Sequence, residues 1–88
     1  MMSVKFSPNA LNQFFHLAER EKKIFKALKK LIEDTQRNGT SGLGHPEPLK
    51  ANLSGWWSKK LDEKNRMVFR VVENTVEIIS CYTHYNDH

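Results

Sequence analysis

Glu47 stands between Pro46 and Pro48, two rings that fix φ and stiffen the backbone on either side of the carboxylate. Arg66 follows a polar run, and His84 and Tyr85 lie near the end of the chain, with Lys50, Lys59 and Lys60 in between. These residue types suffice for one reaction, the cleavage of RNA without a metal. A base removes the proton of the 2′-hydroxyl, that oxygen attacks phosphorus, an acid protonates the departing 5′-oxygen, and a cation balances the phosphoryl charge. Glu47 suits the base, and His84 can exchange a proton near neutral pH. Arg66 suits the cation. Tyr85 can hydrogen-bond phosphate or stack on a base, and Lys50 and Lys60 suit phosphate contacts. Each residue also has an ordinary role: an exposed loop carboxylate, a surface ion pair, an exposed histidine, a last core aromatic. Types alone do not choose between them.

The elements that must position these residues are legible in outline. Residues 3–6 alternate, with Val4 and Phe6 on one side, and read as a short strand. Ser7 then Pro8 makes a helix start, a capping hydroxyl before a residue with preset φ and no N–H to waste. Leu11, Phe14, Phe15 and Ala18 keep helical spacing, as do Ile24, Leu28, Leu31 and Thr35. The charged run 19–23 has no apolar residue, which predicts a break between two antiparallel helices. The second should end near Asn38, with Gly39 as its stop. All four glycines and two of the three prolines fall in 39–55, a long loop of the kind that tends to carry function.

Three strands are expected after the loop, at 56–61, 66–72 and 75–85. Glu73–Asn74 lacks the glycine that two-residue turns favour, so we expect a three-residue loop, 72–74, pairing Arg66 with Ser80. Met67, Phe69, Val71, Ile79 and Cys81 would then face the helices. Arg66, Val68, Arg70, Val76, Ile78, Ser80, Tyr82 and His84 would form an open, ligand-facing surface. Of Trp56 and Trp57, alternation predicts one in the core and one exposed for stacking.

The 88 residues allow one domain, 1–88. With 14 Lys and Arg against 10 Asp and Glu the net charge is +4, which favours anionic partners such as nucleic acid or an acidic protein. Lys22, Lys26, Lys29 and Lys30 are spaced as a basic stripe on the second helix, suited to ribosomal RNA or simply to solvent. Cys81 is alone, so no intrachain disulfide is possible. His84 and His88 lie in a strand and tail rather than on a helix face, and no metal or cofactor is expected. There is no signal-peptide pattern and no apolar run near the ~20 residues that a membrane span needs, so a cytoplasmic protein is expected.

The order of these pieces closely resembles one family. The string Gly-His-Pro-Glu-Pro-Leu-Lys-Ala-Asn-Leu-Ser-Gly-Trp-Trp-Ser-Lys-Lys-Leu at 44–61 resembles the central signature of YoeB/Txe toxins of the RelE/ParE superfamily. Asn-Arg-Met-Val-Phe at 65–69 and Cys-Tyr-Thr-His-Tyr at 81–85 resemble its remaining motifs. The resemblance implies an α+β, RelE-like fold related to microbial ribonucleases, with a short N-terminal strand and two antiparallel helices packed on a twisted antiparallel sheet. It implies Glu47 as general base, His84 as general acid, Arg66 stabilising the transition state, Tyr85 orienting the phosphate, and Lys50 and Lys60 holding the backbone. It implies a type II toxin that enters the ribosomal A site, cuts messenger RNA on the 70S ribosome and inhibits translation. Its partner would be an acidic antitoxin of the YefM/Axe kind, and operator DNA would be met only through that complex. A homodimer is compatible with so small a basic chain. Relatives often carry Arg where this chain has Lys59 and Lys60, which exchanges a bidentate fork for a point charge. Two other readings fit part of the pattern: a non-catalytic relative that poisons gyrase, and a basic RNA-binding module.

Overall fold

The computed structural model describes residues 1–82, so His84 and Tyr85 lie outside the described residues. β1 (Ser3–Phe6) leads into α1 (Pro8–Arg20) through Ser7, whose hydroxyl accepts from the Ala10 amide at 3.1 Å. The break between helices falls at Glu21, whose backbone opens to φ −131° and ψ 69° before α2 (Lys22–Asn38). Gly39 closes α2 from the left-handed region, φ 61°, and its N–H donates to the Thr35 carbonyl at 2.8 Å. None of the described helices is long and apolar enough to cross a membrane.

The remaining strands are β2 (Glu47–Pro48), β3 (Trp57–Lys60), β4 (Arg66–Val72) and β5 (Thr75–Ser80), in a five-stranded sheet ordered β1-β5-β4-β3-β2. The sheet is mixed rather than wholly antiparallel, because β1 runs parallel to β5. Two residues of the predicted long loop, Glu47 and Pro48, form its edge strand.

The helices cover one face. Ala10, Leu17, Leu28, Leu31 and Ile32 pack there against Met67, Phe69, Val76, Ile78 and Cys81. Phe14 meets Phe6 and Phe25 edge to face, at centroid distances of 5.1 and 5.0 Å. Leu11 and Phe15, spaced for the core, lie at 39% and 55% exposure, because α1 turns Ala10, Phe14 and Leu17 inward instead.

The hairpin between β4 and β5 departs from expectation. Its loop has two residues, Glu73 and Asn74, both at positive φ (47° and 62°), and Val72 pairs with Thr75. This is the backbone of a type I′ turn, whose twist matches the strands it joins. A bulge then shifts the register: Phe69 pairs with Ile78 but Val68 pairs with Ser80. Arg66 is therefore not opposite Ser80. Near the turn Val76 and Ile78 are fully buried in the core, so the expected open-face assignment of both is wrong. The extra residue in the bulge lets the strand bury Val76, Ile78 and Cys81 together. Tyr82 also packs against the helix-side cluster rather than the open face. Ser80 turns its hydroxyl to the Tyr82 carbonyl at 2.8 Å and to Gln13 of α1 at 3.3 Å.

Candidate active site

The face of the sheet away from the helices carries Glu47, Lys60 and Arg66. Met67 and Phe69 point into the core, so Arg66, Val68 and Arg70 point the other way. Trp57 also packs on the core, which turns Trp56, Ser58 and Lys60 to the open face. Cross-strand register sets these residues in rows. One row joins Lys60 to Arg66, the next runs Glu47–Ser58–Val68, and a third brings Trp56 over to Arg70 and Glu77.

Glu47 and Arg66 converge. Arg66 Nη1 donates to Glu47 Oε1 at 3.2 Å, across the width of β3, with the Glu47 side chain 59% exposed and Arg66 20%. Arg66 begins β4 directly after a tight turn in which the Asp62 carboxylate accepts from the Lys64 and Asn65 amides at 2.8 and 2.7 Å. Glu47 is flanked by backbone strain. His45 and Ala51, neither a glycine, sit at φ 49° and 58°, in a region that side chains disfavour. Two fixed proline rings and two left-handed residues leave the Glu47 backbone little freedom.

Lys60 lies beside Arg66 and makes a loose 3.7 Å pair with Glu63, itself almost fully exposed. Lys50 is exposed at the start of a short 3₁₀ turn, Ala51–Leu53. Lys50 is thus solvent-accessible, and Lys60 is partly so beside Arg66.

Lys59 is different. It is fully buried on the helix side, against the Phe69 ring at 5.4 Å, with Nζ 3.3 Å from Asp34 Oδ2 and 2.9 Å from Thr35 Oγ1. The exchange of a fork for a point charge therefore bears on the open face only at Lys60, since the Lys59 side chain never reaches it. Strand alternation carried the signal: if Trp57 is core, Lys59 is too. Burial pulls the Lys59 pKa below its ordinary value, with Asp34 opposing that shift. Burial also raises Asp34, but hydrogen bonds from the Leu43 amide, Asn38 and Lys59 outweigh it and hold the carboxyl low.

This buried pair ties down the approach to Glu47. Asp34 Oδ2 accepts the Leu43 N–H at 2.9 Å, and the Gly44 carbonyl accepts the Lys60 N–H at 2.6 Å. A Cβ on Gly44, at φ 86°, would lie 2.9 Å from both Leu31 Cδ1 and Lys59 Cβ, so only glycine permits this close approach.

Ser58 was missed as a candidate. Its hydroxyl is fully buried, directly opposite Glu47 in the register, and has no hydrogen-bond partner among the described residues. Nothing in the sequence marks a lone serine in a strand, and only the register places it under the carboxylate.

The sequence matches, over residues 6–85, the family described as the YoeB-like toxin of bacterial type II toxin-antitoxin system. Toxin YoeB of Escherichia coli strain K12 is 38% identical over 84 residues, covering 96% of this chain and 100% of that protein. A YoeB–YefM toxin–antitoxin heterotetramer from Staphylococcus aureus superposes with a TM-score of 0.88 at 35% identity, covering 97% of this chain and 99% of the matched one. A YoeB dimer from the same organism gives 0.87 at 35% identity, covering 96% and 98%. With the fold, nearly the full length and the central motif all in agreement, the chain belongs to the YoeB-like toxins of bacterial type II toxin–antitoxin systems.

Proposed function

We propose that this toxin is a ribosome-dependent endoribonuclease that cuts messenger RNA in the A site by metal-independent acid–base chemistry. The observation that carries the proposal is the Glu47–Arg66 pair on the open face, 3.2 Å apart, with Lys60 beside it. Glu47 is the general base for the 2′-hydroxyl. Arg66 holds the carboxylate in the free protein and moves to the phosphoryl oxygens as charge develops there. Lys60 and Lys50 bind the flanking phosphates. His84, the proposed acid, and Tyr85, which orients the phosphate, take their roles from the family resemblance. The product is a 2′,3′-cyclic phosphate.

The lysines of α2 (Lys22, Lys26, Lys29 and Lys30) are all exposed and are suited to ribosomal RNA, which makes the ribosome the natural delivery surface. An acidic antitoxin of the YefM kind neutralises the toxin, and operator DNA is bound only by their complex. Self-association into a dimer is compatible with these roles.

Cleavage of a defined messenger on programmed ribosomes tests the reading. Wild type should cut within the A-site codon, while Glu47→Ala, Arg66→Ala and His84→Ala each lose about 10²-fold or more in rate. Equal cutting by the three variants would remove the mechanism. No cutting by wild type, with salt-sensitive RNA binding that survives these changes, would favour a non-catalytic module.

A further inference from the structure

One half-buried feature on the same face is not used by the proposed chemistry. The guanidinium of Arg70 lies over the indole of Trp56, 4.5 Å from the ring centroid. Arg70 Nε donates to Glu77 Oε1 at 2.8 Å, while the arginine side chain remains 43% exposed. Trp57 packs into the core, so the indole of Trp56 is the one left on the open face. Trp56 is two residues from Ser58 and Arg70 is two from Val68, so the stack lies about 7 Å along the strands from the row that holds Glu47. That is one step along an extended polynucleotide lying across the face.

We infer that Trp56 and Arg70 form a nucleobase subsite for a nucleotide next to the cleaved bond. The inference rests on the nuclease reading above. An indole and a guanidinium are the two planar groups on which unstacked bases settle in single-stranded RNA recognition. Glu77 fixes Arg70 in advance, so little side-chain freedom is lost when a base arrives. The carboxylate also balances the arginine charge, which suits a flat neutral ring better than a phosphate. Lys60, beside Arg66, is left to the backbone, as is the exposed Lys50.

Two measurements test the subsite. The first titrates wild-type toxin with a trinucleotide carrying a 2′-deoxy sugar at the cleavage position, and with abasic versions of it, following the Trp56 indole N–H by NMR. The intact trinucleotide should shift that resonance, and an abasic sugar at one neighbouring position should weaken binding roughly 5- to 150-fold. Equal binding of intact and abasic forms would overturn the subsite.

The second compares Trp56→Ala, Trp56→Phe and Arg70→Gln on programmed ribosomes. Trp56→Ala should raise the half-saturating toxin concentration by a similar factor, leave the saturated cutting rate unchanged, and cost nothing further on the abasic messenger. Trp56→Phe should keep most of the affinity. Unchanged half-saturation in Trp56→Ala and Arg70→Gln, with Glu47→Ala inactive, would sink the subsite while the nuclease reading stands. If wild type does not cut, the nuclease reading fails, and the trinucleotide titration still decides whether a base binds here.

Discussion

Lys59 and Lys60 are neighbours on β3, yet they belong to different parts of the molecule. Lys59 is sealed under α2 with Asp34 and Thr35, whereas Lys60 stands on the open face beside Arg66. The strand pleat alone separates them. On one face a charge is held by fixed partners and serves the architecture. On the other, charges meet at longer or exposed contacts: Glu47 with Arg66 at 3.2 Å, and Lys60 with Glu63 at 3.7 Å. Exposed pairs of this kind add little to stability, so exchanging them for contacts to a ligand costs the fold little. The same residue type therefore has opposite predicted consequences at adjacent positions.

The largest effect should be in rate, not stability. Glu47→Ala is expected to slow cleavage on programmed ribosomes by about 10²- to 10⁴-fold. The lost ion pair is solvent-exposed, so the urea midpoint should stay nearly where it was. A large fall in the midpoint would mean that the open face is architectural after all, and the contrast between the two faces would fail.

The buried side should behave in the reverse way. Lys59→Ala leaves Asp34 without its cation and opens a cavity beside Phe69. Breaking such a pair costs about 3 kcal/mol, at the low end of the usual range because Asp34 keeps some exposure, 14%. The double variant Lys59→Met/Asp34→Leu leaves no unpaired charge and should recover most of that loss. Urea unfolding of the three proteins measures this directly. If the double variant is no more stable than Lys59→Ala, it is the anchoring of Leu43 by Asp34, and not the ion pair, that stabilises this side.

How much of this contrast the sequence carried depends on the range of the interactions involved. The helix limits were readable because Ser7, Pro8 and Gly39 act within a turn, and the break at Glu21 followed from a charged run with no apolar residue. The hairpin was misjudged because Glu73 accepts positive φ here, and because the bulge opposite Val68 answers to burial along the whole strand. Lys59 was assigned to neither face, although alternation places it on the same side as Trp57. Glu47 and Arg66 were both named, but a sequence separation of 19 gave no geometry of its own. Their proximity comes from β2, a two-residue strand inside an apparent loop.

Acid should weaken the buried side through Asp34. Its carboxyl is held below the ordinary 3.8, chiefly by the Leu43 and Asn38 hydrogen bonds and by Lys59, against the opposing effect of burial. A group whose folded pKa is depressed contributes stability above its unfolded value, and loses it as pH falls through the folded one. Stability should therefore drop as pH falls below about 3.8, and Asp34→Asn should flatten that part of the acid limb. Lys59 has the opposite consequence. Its lowered pKa means that the unfolded chain holds the proton more tightly, so this group adds stability as pH rises through the interval below 10.5. An Asp34→Asn acid limb identical to wild type would show that the pair does not shape the pH profile.

The smallest expected change tests the comparison most closely, because it alters the other lysine. Lys60→Gln removes a charge whose partner, Glu63, is 94% exposed and 3.7 Å away. Its Tm should match wild type within about 1 °C. In the proposed function Lys60 is a phosphate contact, so its loss should weaken binding to messenger-programmed ribosomes and lower the salt dependence of that binding by about one counterion. A Tm shift as large as that of Lys59→Ala would mean that the pleat does not divide structure from function. Unchanged binding with an unchanged salt slope would remove Lys60 from the site and leave Lys50 and Arg66 as the cations that face the RNA backbone.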